Sequence, residues 1–303
     1  MDRHTAQAIA VIAEDGVSGA VEIAEKGAEV LIYQAQADQS GNLSHLYQGL
    51  LEVGWALIHS RPTMAPMVNL VNILLWKIDA AESFAQGQRV VVDAANEFKW
   101  RLHVHEAAIA ETALRLITDD VQIVTNGRST TVRAVLRYAQ RAGRRFRVIC
   151  AEGRPACEGR TMASELAASS IPTTLVIDAL AVVLAGQSQL VLVGADHLSA
   201  HGLINKVGTY GMVLSARASN VPAYALCSSE KFLPPGFPQP EQTRWPACQV
   251  WPDVPANIQV SNVYLDSTPL NALAGIVTEQ GVQPTVGIEA WLAATKLNPA
   301  LRM

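Results

Sequence analysis

The chain has 303 residues, of which half are apolar and 17% are charged, and its formal net charge at pH 7 is −4. This composition excludes an intrinsically disordered chain, and the length allows one large domain or two smaller ones. The small negative charge argues against a nucleic-acid-binding surface spread over the whole chain. Nowhere do about eighteen apolar residues follow one another without a charge, so we expect no membrane span.

The first part of the chain has the residue spacing of amphipathic helices. Apolar residues recur at intervals of three and four in AQAIAVIAEDGVSGAVEIAEKGAEVLIYQAQ, with an interruption at Asp15 and Gly16. The pattern is repeated in LSHLYQGLLEVGWALIHS, MVNLVNILLWKIDAAESFAQG and VVDAANEFKWRLHVHEAAIAETALRLI. We therefore predict a helical domain over residues 1–118.

The pattern changes near residue 120, where short β-rich runs alternate with helical segments. The runs are VQIVT (121–125), FRVICA (146–151), TTLVI (173–177), LVLVG (190–194) and PAYALC (222–227). Alternation of this kind is typical of parallel βαβ units with strands covered on both faces. The sequence therefore predicts an α/β protein, in which a Rossmann-like, doubly wound parallel sheet over residues 119–303 follows the helical domain.

Polar or glycine-containing sequence follows every predicted strand. The segments are, in chain order, NGRSTT, EGRPACEGR, Asp178, ADHLSAHGLINKVGT and SSEKF. Because parallel strands end at the same rim of a sheet, these segments together predict a concave polar site there.

The segment NGRSTTVRAVL favours a phosphorylated ligand. It places Gly127, Ser129 and Thr130 at the start of a helix, where free backbone amides and the helix dipole attract an anion. Ser129 or Thr130 acting simply as an N-cap is compatible with this interpretation. There is no G-x-G-x-x-G or G-x-x-x-x-G-K-[ST] motif, which argues against a dinucleotide fold and a Walker NTPase.

The segment NKVGT has similar features. We expect Asn205 and Lys206 at the head of a second helix, with Gly208 allowing a close approach of the backbone to the ligand. Lys206 would supply a point charge for a phosphate.

The remaining cysteine and histidine residues do not indicate a metal site or a cofactor. The spacing of Cys150, Cys157, Cys227 and Cys248 matches no zinc or disulfide pattern, so we expect reduced thiols in a cytoplasmic protein. His103 and His105 are two residues apart on a helix and would face different directions. The stretch LPPGFPQPEQTRWPACQVWPDVP is predicted to be irregular, either covering the site or forming a dimer contact, with the contact favoured.

These motifs resemble the superfamily of the α, β and δ regulatory subunits of translation initiation factor 2B. Its enzyme members are methylthioribose-1-phosphate isomerase and ribose-1,5-bisphosphate isomerase. The resemblance is carried by SRPTMAPMVNLVN, VTNGRSTTVRAVL, EGRPACEGRTMASEL, IPTTLVIDALAVVL, VLVGADHLSAHGLINKVGTYGMVLSARASNVPAYAL, SSEKF and YLDSTPLNALAGIVTEQGVQP. It implies a helical domain followed by a Rossmann-like domain, and a homodimer or a larger assembly of dimers.

The resemblance also implies roles for individual residues. In the isomerases, the aspartate of the GAD motif and a cysteine after the first strand convert an aldose phosphate into a ketose. Asp196 matches that aspartate, and Asn205 and Lys206 match residues that hold the sugar and the site together. Arg61 and Arg154 match basic positions near ligand phosphates. The other expected ligand contacts come from the segment after the first strand: Asn126, Gly127, Arg128, Ser129 and Thr130.

The cysteine position of the isomerases is occupied by Gly127, which cannot transfer a proton. The sequence therefore favours a protein that binds a phosphorylated sugar or nucleotide, like the regulatory subunits. The alternative is an active aldose–ketose isomerase in which Cys157 or His197 replaces the missing group. Asp266 in YLDSTP and Glu279 in VTEQG are expected to have structural roles.

Overall fold

The computed structural model describes residues 1–240 and 244–302. Its first part consists of five helices, α1 to α5, which span Arg3–Glu14, Ala20–Ala37, Leu43–Ser60, Ala65–Asp79 and Phe84–Ala113. Three of them begin at a polar cap, because Asp2, Asn42 and Ser83 accept hydrogen bonds from first-turn amides. α1 ends next to the interruption predicted at Asp15. Within the described ranges, no helix is both long enough and apolar enough to cross a bilayer.

Strands and helices alternate in the second part of the chain. Strands β1 to β10 span Val121–Thr125, Phe146–Ala151, Thr173–Val176, Leu190–Val193, His197–Ser199, Gly202–Lys206, Ala223–Leu226, Leu265–Thr268, Gly275–Thr278 and Gly281–Gln283. Helices α6 to α10 span Thr130–Arg141, Glu158–Ala168, Asp178–Ala185, Thr209–Ala218 and Ile288–Leu292. The five strands predicted from the sequence are therefore present, with ends that differ by no more than a residue or so.

Seven strands form one sheet in the order β10-β9-β7-β4-β1-β2-β3. All neighbouring pairs are parallel except β9 and β10. From β3 to β9 this is the strand order of the Rossmann fold. Alternate strand residues enter different cores, with Val124 and Val191 on one face and Ile123 and Leu192 on the other. The predicted fold class, a helical part followed by a Rossmann-like sheet, is confirmed.

A second sheet, which the sequence did not predict, pairs β5, β6 and β8 in antiparallel fashion. The prediction that Asn205 and Lys206 begin a helix is wrong. Both lie on β6, where Asn205 pairs with Asp266 of β8, and helix α9 begins only at Thr209. Local periodicity could not show this pairing, because β8 comes much later in the chain and supplies the hydrogen bonds that keep the segment extended.

The core of the helical part and one core of the sheet each contain residues from both parts of the chain. The helical core also contains Leu233, Phe237, Leu297 and Leu301, which come from the second part of the sequence. The C-terminal end of α5, including Ile109, packs instead against one face of the sheet. The division between domains at residue 118 stays a prediction, since α5 contributes to both cores.

Candidate functional site

A cavity of about 310 Å³ lies at the carboxyl ends of β1 and β4. These strands are neighbours, and the order of the sheet reverses between them, which is where open α/β sheets bind ligands. Residues 15–20, which lead into α2, and residues 59–64, which end α3 and follow it, close the cavity from the helical part. Most residues predicted for the site line the cavity; the exceptions are Arg154, Cys157, His197 and Gly208.

Helix α6 directs its first turn toward this cavity. Ser129 is the N-cap, and its hydroxyl accepts a hydrogen bond of 3.3 Å from the Val132 N–H. The preceding Gly127 has a φ of +68°, a left-handed conformation that favours glycine. Thr130 and Thr131 are the first two helical residues, so no helix carbonyl is available to their N–H groups. This turn therefore offers backbone donors to a ligand anion.

Helix α9 also begins near the cavity, but its first turn already has an anionic partner. The Asp266 carboxylate accepts hydrogen bonds from Gly208 N–H at 2.8 Å and from Tyr210 N–H at 3.1 Å. The expected approach of a ligand to the backbone at Gly208 is therefore replaced by an internal contact. Asp266 has the structural role that the sequence indicated.

Strand β6 brings two predicted polar side chains to the cavity. The Asn205 amide donates to the Thr209 hydroxyl at 2.9 Å, which ties β6 to α9. The Lys206 ammonium lies 2.9 Å from Oε1 of Glu158 and 4.7 Å from the centre of the Tyr264 ring. Lys206 is therefore fixed between a carboxylate and an aromatic ring, both of which line the cavity.

Asp196 follows β4 and is held by its backbone, since its N–H donates to Ile204 O at 2.8 Å. Its carboxylate forms no hydrogen bond within residues 1–240 and 244–302. Burial raises the pKa of Asp196 to about 6, although the charges of Lys231 and Arg61 oppose the rise. A carboxyl group with this pKa can both donate and accept a proton near neutral pH.

Two more cationic side chains reach the cavity. Arg61 is buried, and its guanidinium donates to the carbonyl groups of Ile12 and Asp15 rather than to a carboxylate. Lys231 is only 2% exposed, and its ammonium has no hydrogen bond or ion pair among the described residues. The side-chain amide of Asn69 fixes the turn that carries Lys231, by donating to Glu230 O at 2.7 Å and Phe232 O at 2.8 Å.

Comparison with known proteins shows the same architecture. A model of the initiation factor 2 subunit family matches residues 16–285. The chain belongs to this family. An eIF-2B subunit 2-like protein of Pyrococcus furiosus is 30% identical over 267 residues, covering 88% of this chain and 91% of its own. A ribose 1,5-bisphosphate isomerase of Haloferax volcanii is 30% identical over 280 residues, covering 90% and 86%. The crystal structure of the Pyrococcus horikoshii OT3 translation initiation factor eIF-2B, 26% identical, superposes with a TM-score of 0.81 and covers 94% and 98%.

Two arginine residues predicted to contact a ligand phosphate have side chains that are bonded elsewhere. The Arg128 guanidinium forms ion pairs with Glu22 at 2.8 Å and with Glu165 at 2.7 Å, and so connects α2 to α7. Arg154 is exposed and donates to Val250 O at 3.0 Å, outside the cavity. The Gly153 and Arg154 amides are both held by Asp178, which fixes this loop. Predicted phosphate contacts of these two arginine side chains gain no support from this arrangement.

The two predicted substitutes for the family's cysteine are also placed away from the cavity. Cys157 is half-buried, and its thiol donates to the neighbouring Pro155 carbonyl. His197 is buried, and its Nδ1 lies 2.7 Å from Thr63 O. Neither residue lines the cavity wall. A proton-transfer role for either one stays a prediction without a supporting contact.

Sequence reasoning missed several residues of the cavity wall, among them the charged and aromatic residues Glu158, Lys231, Trp245 and Tyr264. All four lie in segments discussed above: Glu158 in EGRPACEGR, Lys231 in SSEKF, Trp245 in the Pro-rich stretch and Tyr264 in YLDSTP. For Glu158 and Lys231, their place after strands β2 and β7 was the available signal. Trp245 and Tyr264 stack with ring centres 4.6 Å apart. The irregular Pro-rich stretch therefore reaches the site through Trp245, although its residues 241–243 lie outside the described part of the chain.

Proposed function

We propose that this member of the initiation factor 2 subunit family binds a phosphorylated pentose in the cavity. The observation that carries the proposal is Lys231, a buried ammonium that borders the cavity and has no ion pair among the described residues. Burying a charge without a partner is costly, and buried lysines are usually paired. The Asp196 carboxylate interacts with this charge without forming an ion pair, and a ligand phosphate would supply a directly bonded counter-charge.

The other charges of the cavity also favour an anionic ligand. Its wall carries the charged groups of Arg61, Glu158, Asp196, Lys206 and Lys231. Among them, only Lys206 and Glu158 form an ion pair within the described residues. Asp15 at the rim is already paired with Lys26. The excess of positive charge, together with the open first turn of α6, suits a phosphate ester.

A sugar phosphate fits the cavity better than a nucleotide. The volume of about 310 Å³ is at the small end of the range for small-molecule sites. Trp245 stacks on Tyr264 and also lies under the Arg61 guanidinium, at 5.8 Å, while Tyr264 lies under the Lys206 ammonium. These internal contacts leave little ring surface on which a nucleobase could stack.

Binding can be tested with ribose 1,5-bisphosphate, ribose 5-phosphate and AMP as probes in calorimetry and thermal shift. We expect a pentose phosphate to bind more tightly than AMP. Lys231→Met should weaken this binding at least about tenfold, since a charge-assisted hydrogen bond contributes about 1.5–3 kcal/mol. The same change should alter the stability of the ligand-free protein little, because it removes a buried charge that has no ion pair but also the charge that most favours the ionised form of Asp196.

The control is Lys77→Met, which removes an exposed ammonium far from the cavity. It should change neither affinity nor stability. The proposal fails if no pentose phosphate binds, or if Lys231→Met binds the pentose phosphates as tightly as wild type.

A second candidate function is aldose–ketose isomerisation of the bound sugar phosphate, the kind of reaction named for the Haloferax volcanii relative. The observation that favours it is Asp196, a cavity carboxylate with a raised pKa and no hydrogen-bond partner among the described residues. Such a group is suited to proton transfer rather than to holding structure. If this function is correct, purified protein converts ribose 1,5-bisphosphate to the ketose, and Asp196→Asn abolishes conversion while retaining phosphate affinity.

We also propose a homodimer formed through the edge of the sheet at β3. Leu175, Ile177, Leu180, Val183 and Leu214 are exposed apolar residues of β3, α8 and α9 and of the turn between β3 and α8. Exposed apolar surface beside an unpaired edge strand is typical of an interface. Light scattering should give about twice the chain mass of 32.5 kDa, and Ile177→Asp should give the mass of one chain. A single-chain mass for wild type at micromolar concentration would contradict the proposal.

A further inference from the structure

The Glu158 carboxylate lies next to the point where a side chain of residue 127 would begin. A Cβ atom added to Gly127 would be 3.4 Å from Oε1 of Glu158 and 3.2 Å from Cβ of Lys206. Glu158 is therefore in van der Waals contact with the volume that Gly127 leaves empty. Both residues border the cavity, so the carboxylate is next to the space available to a ligand.

The backbone at the start of α7 determines this position. Cys157, the residue before the helix, has a left-handed φ of +58°. Gly159 packs directly on the end of β2, since a Cβ atom there would lie 1.8 Å from Ala151 O. Only glycine permits so close an approach, and the Gly159 N–H donates to Glu152 O at 3.0 Å. The first residue of α7 is thus pressed toward the strand ends, and Glu158 reaches the cavity.

Lys206 fixes the orientation of the Glu158 side chain. Its ammonium lies 2.9 Å from Oε1 and 3.2 Å from Oε2, and both side chains are nearly buried. Burial raises the pKa of Glu158 above its usual value, and the pairing with Lys206 offsets part of this rise by favouring the ionised form. Asp196 lies in the same cavity without a hydrogen-bonding partner among the described residues, and the charge of Glu158 raises the pKa of Asp196 further. Two such carboxyls can differ in protonation at neutral pH, one acting as acid and the other as base.

We propose that Glu158 is the second proton-handling group of the site and acts with Asp196 on the sugar of a pentose 1-phosphate. This inference rests on the proposed binding of a phosphorylated pentose. Protonated Asp196 donates to the ring oxygen as the bond between that oxygen and C1 breaks. The hydrogen on C2 then moves to C1 with its electron pair, and ionised Glu158 accepts the proton of the C2 hydroxyl. One proton is donated and one is accepted, and a ketone forms at C2 without an oxidant.

The chemistry explains why Gly127 is compatible with activity. The carboxylate of a residue from the β2 loop occupies the neighbourhood of the missing side chain, so the position after β1 need not carry a reactive group. In this arrangement Lys206 orients the Glu158 carboxylate.

The test compares Glu158→Gln with wild type by calorimetry and by conversion of ribose 1,5-bisphosphate. Glutamine keeps the size of the side chain and a hydrogen-bond acceptor for Lys206, but it cannot accept the proton. We expect affinity within about threefold of wild type and turnover lower by about 10²–10⁴-fold, the usual contribution of general acid–base catalysis. The limb of the wild-type pH–rate profile that reports ionisation of Glu158 should be absent from residual activity of the variant.

The matched control is Glu152→Gln, which alters a carboxylate of the same loop that pairs with exposed Arg160 outside the cavity. Its turnover should equal that of wild type. Wild-type turnover in Glu158→Gln would overturn the inference, as would binding of the bisphosphate by wild type without conversion. A reduced turnover with an unchanged pH profile would show that Glu158 only positions Lys206. Failure of wild type to bind any pentose phosphate would instead contradict the proposed function.

Discussion

Helices α6 and α9 begin beside the same cavity, yet their first turns have different partners. Glycine with a left-handed φ precedes both, Gly127 two residues before the α6 cap and Gly208 as the α9 cap. At α9, the Asp266 carboxylate accepts two of the first-turn amides. At α6, the Ser129 hydroxyl caps the turn, and Ser129 and Thr130 line the cavity. A glycine-rich helix start is therefore an anion site only where the chain does not supply its own anion.

The largest expected effect is the loss of stability when the first turn of α9 loses its carboxylate partner. Asp266→Ala should lower the free energy of unfolding by on the order of 3 kcal/mol, because two donors lose their acceptor and each such loss costs about 1–3 kcal/mol. Urea denaturation measures the change. Affinity for ribose 5-phosphate should stay near that of wild type. A variant that is as stable as wild type would mean that α9 does not depend on Asp266.

The next largest expected effect is a loss of affinity for ribose 5-phosphate when the first turn of α6 loses an N–H group. Thr130→Pro removes one N–H from the first turn but leaves the helix intact, because proline is favoured at this position and Ser129 already has φ −94° and ψ 122°. We expect affinity for ribose 5-phosphate to fall about tenfold, in line with the loss of one hydrogen bond to a charged group.

Thr130→Ala is the control for this prediction, since it removes the same side chain and keeps the N–H. It should bind ribose 5-phosphate several times more tightly than Thr130→Pro. Equal affinities for the two variants would show that the α6 amide does not contact the phosphate.

A smaller effect on stability follows from the raised pKa of Asp196, which lines the same cavity as the first turn of α6. Its pKa is about 6 in the folded protein and about 3.9 in an unfolded chain, so the folded state takes up the proton first as pH falls. Stability should therefore increase as pH falls from 7 to 5, by on the order of 1 kcal/mol relative to Asp196→Asn. Denaturation of both proteins at several pH values checks the sign. A difference that is constant with pH would refute the raised pKa.

The smallest effect is expected at the cap of α6 itself. Ser129→Ala should lower the free energy of unfolding by about 0.5–1 kcal/mol, because one side-chain cap is lost while the Arg133 N–H still bonds to Ser129 O. Thermal or urea unfolding measures it. Affinity for ribose 5-phosphate should change less than in Thr130→Pro, and a larger change would assign the hydroxyl, not the amide, to the ligand.

The elements that sequence could predict are those with a local signal. Strands β1, β2 and β4 are apolar runs bounded by turns, and the Rossmann-like sheet follows from their alternation with helices. The small sheet gave no such signal, since β5 and β6 are short and their partner β8 is distant in the chain. Asn205 and Lys206 line the cavity, but the sequence assigned them to the wrong element for this reason.

The sequence could predict which loops border the site, but not which of their side chains point into it. The rule that ligands bind at the carboxyl ends of strands located Asp196 and the segment after β1. It could not separate Cys157 from Glu158, because these are adjacent residues and the left-handed backbone at Cys157 decides which of them reaches the cavity. Nor could it show that Arg128 is occupied by two carboxylates from distant helices. Whether a side chain bonds to another protein group or stays available to a ligand depends on tertiary contacts, which local sequence does not show.

The packing of residues 297–301 into the helical core affects the order in which the protein can fold. Asn298 bonds to Asn72 at 2.7 Å and to Asp79 at 2.8 Å, and Leu297 and Leu301 complete the apolar cluster around α1 to α5. These contacts join segments separated by most of the chain, and closing so long a loop is slow. During synthesis, the core of the first five helices therefore cannot be completed until residues 297–301, which follow the last strand, have been made.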